Sequence, residues 1–197
     1  MIRFSPRPQI PLVLAPGLGC DVVVWRHQIA ALGSSCHIQV PDYGMADSLG
    51  AMARKLLLEA PPRFALAGHS MGGRVALEVM ARAPERVERL ALLATGFEAI
   101  AMGEAGERER IGRYRLLDVA RRQGMEAMAR EWAAGMVHPS HRTDEQLMDE
   151  IHQMVSRATP EQFEAQLHAL LRRPDRAALL RTLTIPTLVL CGHEDSW

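Results

Sequence analysis

In Gly68-His69-Ser70-Met71-Gly72-Gly73 a serine stands midway between two glycines, a spacing that fits a nucleophile presented on a tight turn. The stretch before it, Arg63-Phe64-Ala65-Leu66-Ala67, is a short apolar run that reads as a buried strand, and Arg74-Val75-Ala76-Leu77-Glu78-Val79-Met80 after it reads as a helix. On such a strand-to-helix turn the serine is held in a strained backbone conformation with its Oγ exposed at the C-terminal end of the sheet. Gly68 and Gly72 let strand and helix approach closely. The N–H of Met71 then falls at the start of a helix, where unpaired donors and the helix dipole favour a developing oxyanion. The same letters could spell no more than a glycine-rich turn. The flanking strand and helix favour the nucleophile.

The elements that must position Ser70 follow a regular rhythm. Pro11-Leu12-Val13-Leu14-Ala15 predicts a buried strand, broken by Pro16-Gly17-Leu18-Gly19 and followed by a helix with Asp21 as N-cap. His37-Ile38-Gln39-Val40 predicts the next strand. Leu49, Met52, Ala53, Leu56 and Leu57 then recur at helical spacing until Pro61-Pro62. A further strand is expected over residues 87–94. Strands alternating with helices in this way predict an α/β fold, a mostly parallel sheet with helices on both faces.

From about Gly96 to Arg173 the strand signal disappears and an all-helical insertion is expected. Thr143-Asp144-Glu145-Gln146 and Thr159-Pro160-Glu161-Gln162 both read as capping boxes, the second with proline at the first helical position. Leu147, Met148, Ile151, Met154 and Val155 form one apolar stripe, and Phe163, Leu167, Leu170 and Leu171 form another. Met125, Met128, Met136, Met148 and Met154 read as core filler more readily than as pocket lining. His138, His141, His152 and His168 share no metal-ligand spacing and are expected on the surface. After Pro174-Asp175 a short helix through Leu179 and Leu180 leads to a returning strand within residues 185–192.

From the Ser70 turn and this order of elements, the chain resembles the α/β-hydrolase superfamily along nearly all of its length. It is most similar to small bacterial hydrolases of the group that includes meta-cleavage-product hydrolases, lactonases and cofactor-free haloperoxidases. The resemblance implies a core from residues 1–95, a helical cap over the active site from residues 96–173, and a return to the core over residues 174–197. It also implies that Asp195, in Pro-Thr-Leu-Val-Leu-Cys-Gly-His-Glu-Asp after the last strand, is the acid of a catalytic triad. Glu194 is its nearby competitor. Pro16-Gly17-Leu18-Gly19 matches the place of the second oxyanion donor, so Leu18 N–H takes that role with Met71 N–H. Pro16 stands where the family often has histidine, a change of little consequence when the donor is a backbone amide.

Chain order in this fold runs serine, acid, histidine, and only Ser196 and Trp197 follow Asp195. The family's histidine position is therefore unfilled, and the resemblance implies an incomplete fold that lacks the first strands and the last strand with its helices. His69, His193 and the cap's His138 are the internal alternatives for a base. His69 is expected to point away from Ser70 Oγ. The function implied is a serine hydrolase of a small ester, lactone or C–C ketone substrate, without a cofactor. A non-catalytic hydrolase-fold binding protein is the alternative.

Composition narrows the field further. The 197 residues are 48% hydrophobic and 23% charged with no net charge, and the arginines are interleaved with glutamates, so no nucleic-acid face is expected. Cys20, Cys36 and Cys191 are odd in number and have no CxxC spacing, against both a disulfide framework and a zinc site. No apolar run approaches the ~18 residues of a membrane span, and a cytoplasmic location is expected. A rival reading takes Gly17-x-Gly19 and Asp42 as a dinucleotide fingerprint. Val22 stands at its third glycine, where a side chain obstructs the pyrophosphate. Ending the sheet on the strand near residues 187–191 would leave an apolar edge, for which self-association is expected.

Overall fold

Five strands run parallel in the order β2-β1-β3-β4-β5 in the computed structural model, which describes residues 10–195. They are β1 (Leu12–Ala15), β2 (Ile38–Gln39), β3 (Phe64–His69), β4 (Val87–Leu93) and β5 (Thr187–Leu190). The segment before residue 10 and the pair Ser196-Trp197 lie outside the described residues. The α/β expectation therefore holds; β1, β2, β4 and β5 are shorter than the apolar runs that announced them, while β3 runs two residues further, to His69.

Alternation along the strands sends residues to two faces. Val13, Ala15 and Leu66 join the larger core with helices α2 (Leu49–Glu59) and α3 (Met71–Arg82). Leu14 and Ala67 pack on the opposite face with Trp25 and Ile29, around helix α1 (Arg26–Leu32). Ser48 caps α2 by accepting from Ala51 N–H. Asp21 caps as expected, but the element it starts is a single 3-10 turn, Val22–Trp25, that runs on into α1.

Between β4 and β5 the chain is helical, in α4 (Glu104–Gln123), α5 (Met125–Ala133), α6 (Glu145–Ser156) and α7 (Pro160–Leu171), before the short α8 (Ala177–Leu180). Thr159 forms the expected capping box with Gln162. The other box is displaced by one residue. Asp144 is the N-cap of α6, accepting from Leu147 N–H at 3.0 Å, and Gln146 turns to Glu150 instead of reaching back. A carboxylate meets a helix N-terminus better than a hydroxyl, so the cap moves to the aspartate.

The insertion is not a loose appendage, because Met128, Met154, Val155, Phe163 and Leu167 belong to the same hydrophobic core as Val13, Leu66 and Met71. Met125, Met128 and Met154 are buried filler, as read from sequence. His152 departs from expectation: both its ring nitrogens are buried without a hydrogen-bond partner. It lies four residues after Met148 and three before Val155, so helical spacing places it on the apolar stripe. Buried Glu78 of α3 takes Arg82 from its own helix and Arg176 from the turn before α8, and Arg176 N–H also bonds Phe97 O at 2.9 Å. Charge pairing thus ties the start and end of the insertion to the helix that begins at Ser70.

Candidate active site

The Ser70 turn is built by backbone contact that only glycine permits. A Cβ on Gly68 would lie 2.4 Å from Gly72 O, and one on Gly72 would lie 2.1 Å from Ala15 O. Strand β3, helix α3 and the end of β1 therefore meet at closest backbone approach around the serine. Ser70 itself has φ 52° and ψ −117°, a strained conformation for a residue with a side chain. Its strain is held by four hydrogen bonds: Ser70 N–H donates to Leu93 O at 2.9 Å, while its carbonyl accepts from Gly73 N–H at 3.0 Å, from Arg74 N–H at 3.4 Å and from Thr95 Oγ1 at 2.7 Å.

Thr95 and Gly73 were not legible as site residues in the sequence. A Cβ on Gly73 would lie 2.5 Å from Thr95 Cγ2, so the second glycine of the Gly72-Gly73 pair makes room for the threonine that holds Ser70. The adjacent Ala94 has φ 44°, a second strained residue where β4 ends. The doubled glycine was the only trace of this arrangement in the sequence.

Met71 opens α3, so its N–H is among the unpaired donors of the helix start. The Pro16–Gly19 loop lies against the same turn: a Cβ on Gly72 would be 2.6 Å from Pro16 O, and one on Gly17 would be 3.0 Å from His69 Nδ1. Leu18 follows directly and is buried. The loop and the start of α3 are thus packed against one another beside Ser70. Of the glycines that mimic a dinucleotide fingerprint, Gly17 packs on His69 and Gly19 on Trp132 and Val155, and the Asp42 carboxylate accepts from Gly44 N–H within its own turn.

Register carries Asp195 to the same edge of the sheet. His69 pairs with Leu93 across β3 and β4, and Leu93 with Leu190 across β4 and β5, so the chain leaves all three strands at one level. Asp195 closes its turn on Gly192 O at 3.2 Å and accepts from the Cys191 thiol at 3.6 Å. Burial pushes the His69 imidazole below its ordinary pKa, and the Asp195 charge opposes that shift. Glu194, the competitor, pairs instead with His138 of the helical insertion.

None of the described histidines hydrogen-bonds Ser70 Oγ. His138 is committed to Glu194 through Nε2 and to Ser140 through Nδ1. His69 keeps its ring beside Gly17 and edge-on to Trp25, with Nδ1 buried and unpartnered, in line with its expected turn away from Oγ. Cys20 is no rival nucleophile, since burial pushes its thiol up to about 12. A cavity of about 530 Å³ flanks the Pro16–Cys20 loop, lined also by Val40, Asp42, Tyr43 and Gln166; Ser70 is not in its wall. Among the described residues there is no group of three or more His, Cys, Asp or Glu able to hold a metal ion, and no helix is long and apolar enough to cross a membrane.

Comparison with known proteins gives the same frame. A pimeloyl-[acyl-carrier protein] methyl ester esterase of Pectobacterium carotovorum subsp. carotovorum is 38% identical over 92 residues, 43% of this chain but only 36% of that relative. The esterase of the same description from Photobacterium profundum is 30% identical over 93% of this chain and 76% of its own length. Among solved structures, a thermophilic esterase from Thermogutta terrifontis superposes with a TM-score of 0.78 at 26% identity, over 93% of this chain and 71% of the other. The model of the Alpha/beta hydrolase family matches residues 12–197, and the chain belongs to that family.

Proposed function

We propose that this chain carries the nucleophile, oxyanion hole and acid of a serine hydrolase acting on a small ester, with lactones and C–C ketone bonds as the neighbouring substrate classes. The observation that carries the reading is the strained Ser70, at φ 52°, between glycines whose Cβ positions are filled by backbone. Such strain costs of order 1–3 kcal/mol and persists where the surroundings over-determine it, typically at active sites.

Ser70 Oγ attacks the carbonyl carbon, and the carbonyl π electrons move to oxygen, where the N–H groups of Leu18 and Met71 receive the charge. Collapse expels the alcohol and leaves an acyl-serine, which water then hydrolyses. The serine proton must pass through a base to the leaving oxygen, and Asp195 is the carboxylate that would orient a histidine for this purpose. No described histidine hydrogen-bonds Ser70 Oγ, His138 being held by Glu194 and Ser140, and this favours the second reading, a hydrolase fold that binds a ligand without turning it over.

The curated relatives are named for an ester carried on acyl-carrier protein. Here residues 96–173 carry more Asp and Glu than Arg and no Lys, and Arg108, Arg115, Arg122 and Arg130 are among the arginines paired with a Glu or Asp. Such a balanced surface has no net basic field with which to steer an acidic carrier, and this supports a free small ester as substrate. A cytoplasmic setting accords with the free thiols of Cys20, Cys36 and Cys191. The test is hydrolysis of p-nitrophenyl butyrate by the 197-residue chain. Slow turnover that disappears in Ser70→Ala is expected, whereas equal rates in the two proteins would remove the serine from the mechanism.

Strand β5 is the edge of the described sheet, with Leu188, Val189 and Leu190 exposed, and unpaired apolar edges recruit other chains. Self-association of the isolated polypeptide is expected, read as a mass that rises with concentration in light scattering. A monomer held from dilute to concentrated solution would contradict it.

A further inference from the structure

Three cap helices converge on Gly19. A Cβ there would lie 3.4 Å from the Trp132 ring of α5 and 3.6 Å from Val155 Cγ1 of α6. Helix α7 supplies Gln166, whose Oε1 accepts the Gly19 N–H at 2.8 Å. Gln166 is one of the few polar side chains buried in the protein, 8% exposed, and the bond joins residues 147 apart in sequence. Strand β1 has ended at Ala15, so no sheet partner is available to that amide. A buried N–H without an acceptor is costly, which gives this one contact a structural reason to exist.

Its geometry reaches the oxyanion hole. Cys20 N–H donates to Gly17 O at 3.2 Å, closing a four-residue turn in which Gly19, the third residue, has φ 63°. The carbonyl of Gly17 and the N–H of Leu18 belong to one planar peptide unit and point in opposite directions. Whatever holds this turn therefore aims Leu18 N–H. The next peptide unit is gripped at both ends, since Leu18 O accepts from Cys20 Sγ at 3.4 Å while Gly19 N–H is taken by Gln166.

We propose that Gln166 is a positioning residue that locks the Gly17–Cys20 turn with Leu18 N–H aimed at the substrate oxygen, so that the oxyanion hole is complete only while the cap is seated. The inference rests on the reading of Leu18 as an oxyanion donor. It makes the cap part of the catalytic machinery in addition to a cover.

Butylboronic acid tests it, because Ser70 Oγ adds to boron, releasing its proton to solvent, and the anionic tetrahedral adduct places an oxygen in the oxyanion position. The 197-residue chain should bind it and Ser70→Ala should not. Gln166→Met keeps the volume but loses the acceptor, and should weaken boronate binding by about 10- to 100-fold, less than the roughly 100- to 1000-fold lost with a whole oxyanion donor because Leu18 N–H is misdirected and not removed. Gly19 amide exchange should lose its protection in Gln166→Met and regain it in Gln166→Glu, which again offers an oxygen. A merely structural glutamine would lower the thermal midpoint and leave the affinity of the folded protein unchanged. Should Gln166→Met fail to fold, Gln166→Asn, whose amide is too short to reach Gly19, must show the same loss. Wild-type affinity in either folded variant, beside a non-binding Ser70→Ala, overturns the role of Gln166 alone. No Ser70-dependent binding by the unmodified chain overturns the hydrolase reading and this inference with it.

Discussion

Gly72→Ala should destabilise the protein by about 3 kcal/mol or more, beyond the usual cost of overpacking, because the added methyl meets backbone and not a side chain that can swing away. The Cβ would lie 2.1 Å from Ala15 O and 2.5 Å from Ala15 C, so β1 and α3 must part to admit it. Alanine is the better helix former by about 1 kcal/mol, and that gain is too small to offset the clash. Gly112→Ala is the internal control. Gly112 lies within α4 with nothing within 4 Å of its Cβ position, so there the propensity gain should appear alone as a small stabilisation. Urea midpoints of the two variants moving in opposite directions is the expected result. A Gly72→Ala protein as stable as the parent would mean that the close approach around Ser70 is not obligatory.

A larger effect is expected in catalysis. Loss of a triad histidine costs roughly a millionfold in rate, or about 8 kcal/mol of barrier. On the proposed roles of Ser70, Asp195 and the Leu18 and Met71 amides, fusing a family-like segment with a histidine after Asp195 should raise esterase turnover by several orders of magnitude. The gain should vanish in Ser70→Ala and fall sharply in Asp195→Asn, which leaves the imidazole without its orienting carboxylate. A folded, extended chain without Ser70-dependent turnover on esters, lactones or dienones would favour the non-catalytic reading. Efficient turnover by the 197-residue chain itself would mean that an internal histidine serves as base.

Much of this was legible in the sequence because local physics wrote it there. Buried parallel strands must be apolar runs, and Thr159-Pro160-Glu161-Gln162 can do little else than start a helix. The Gly68-x-Ser70-x-Gly72 spacing is a steric signature, since each glycine answers to a specific backbone atom less than 2.5 Å from its Cβ position. What the sequence concealed depends on contacts between distant segments. Gln166 looks like any polar residue of an amphipathic helix until α7 is laid on the Gly19 loop. Thr95 has no motif of its own. His152 was misplaced because its chemistry suggested the surface while its helical position put it on the buried stripe. Asp144 displaced Thr143 as a cap because two good capping residues stood side by side, and spacing alone does not choose between them.

The central claim is that Ser70 is the nucleophile, and covalent capture tests it most directly. The chain is incubated with a fluorophosphonate, digested, and the adduct located by mass spectrometry. Serine Oγ displaces fluoride at phosphorus, so the mass gained marks the residue that attacked. An adduct confined to the peptide carrying Ser70, formed slowly and absent from Ser70→Ala, is the result expected. An adduct on another serine, or labelling of Ser70→Ala equal to that of the parent, would contradict the assignment.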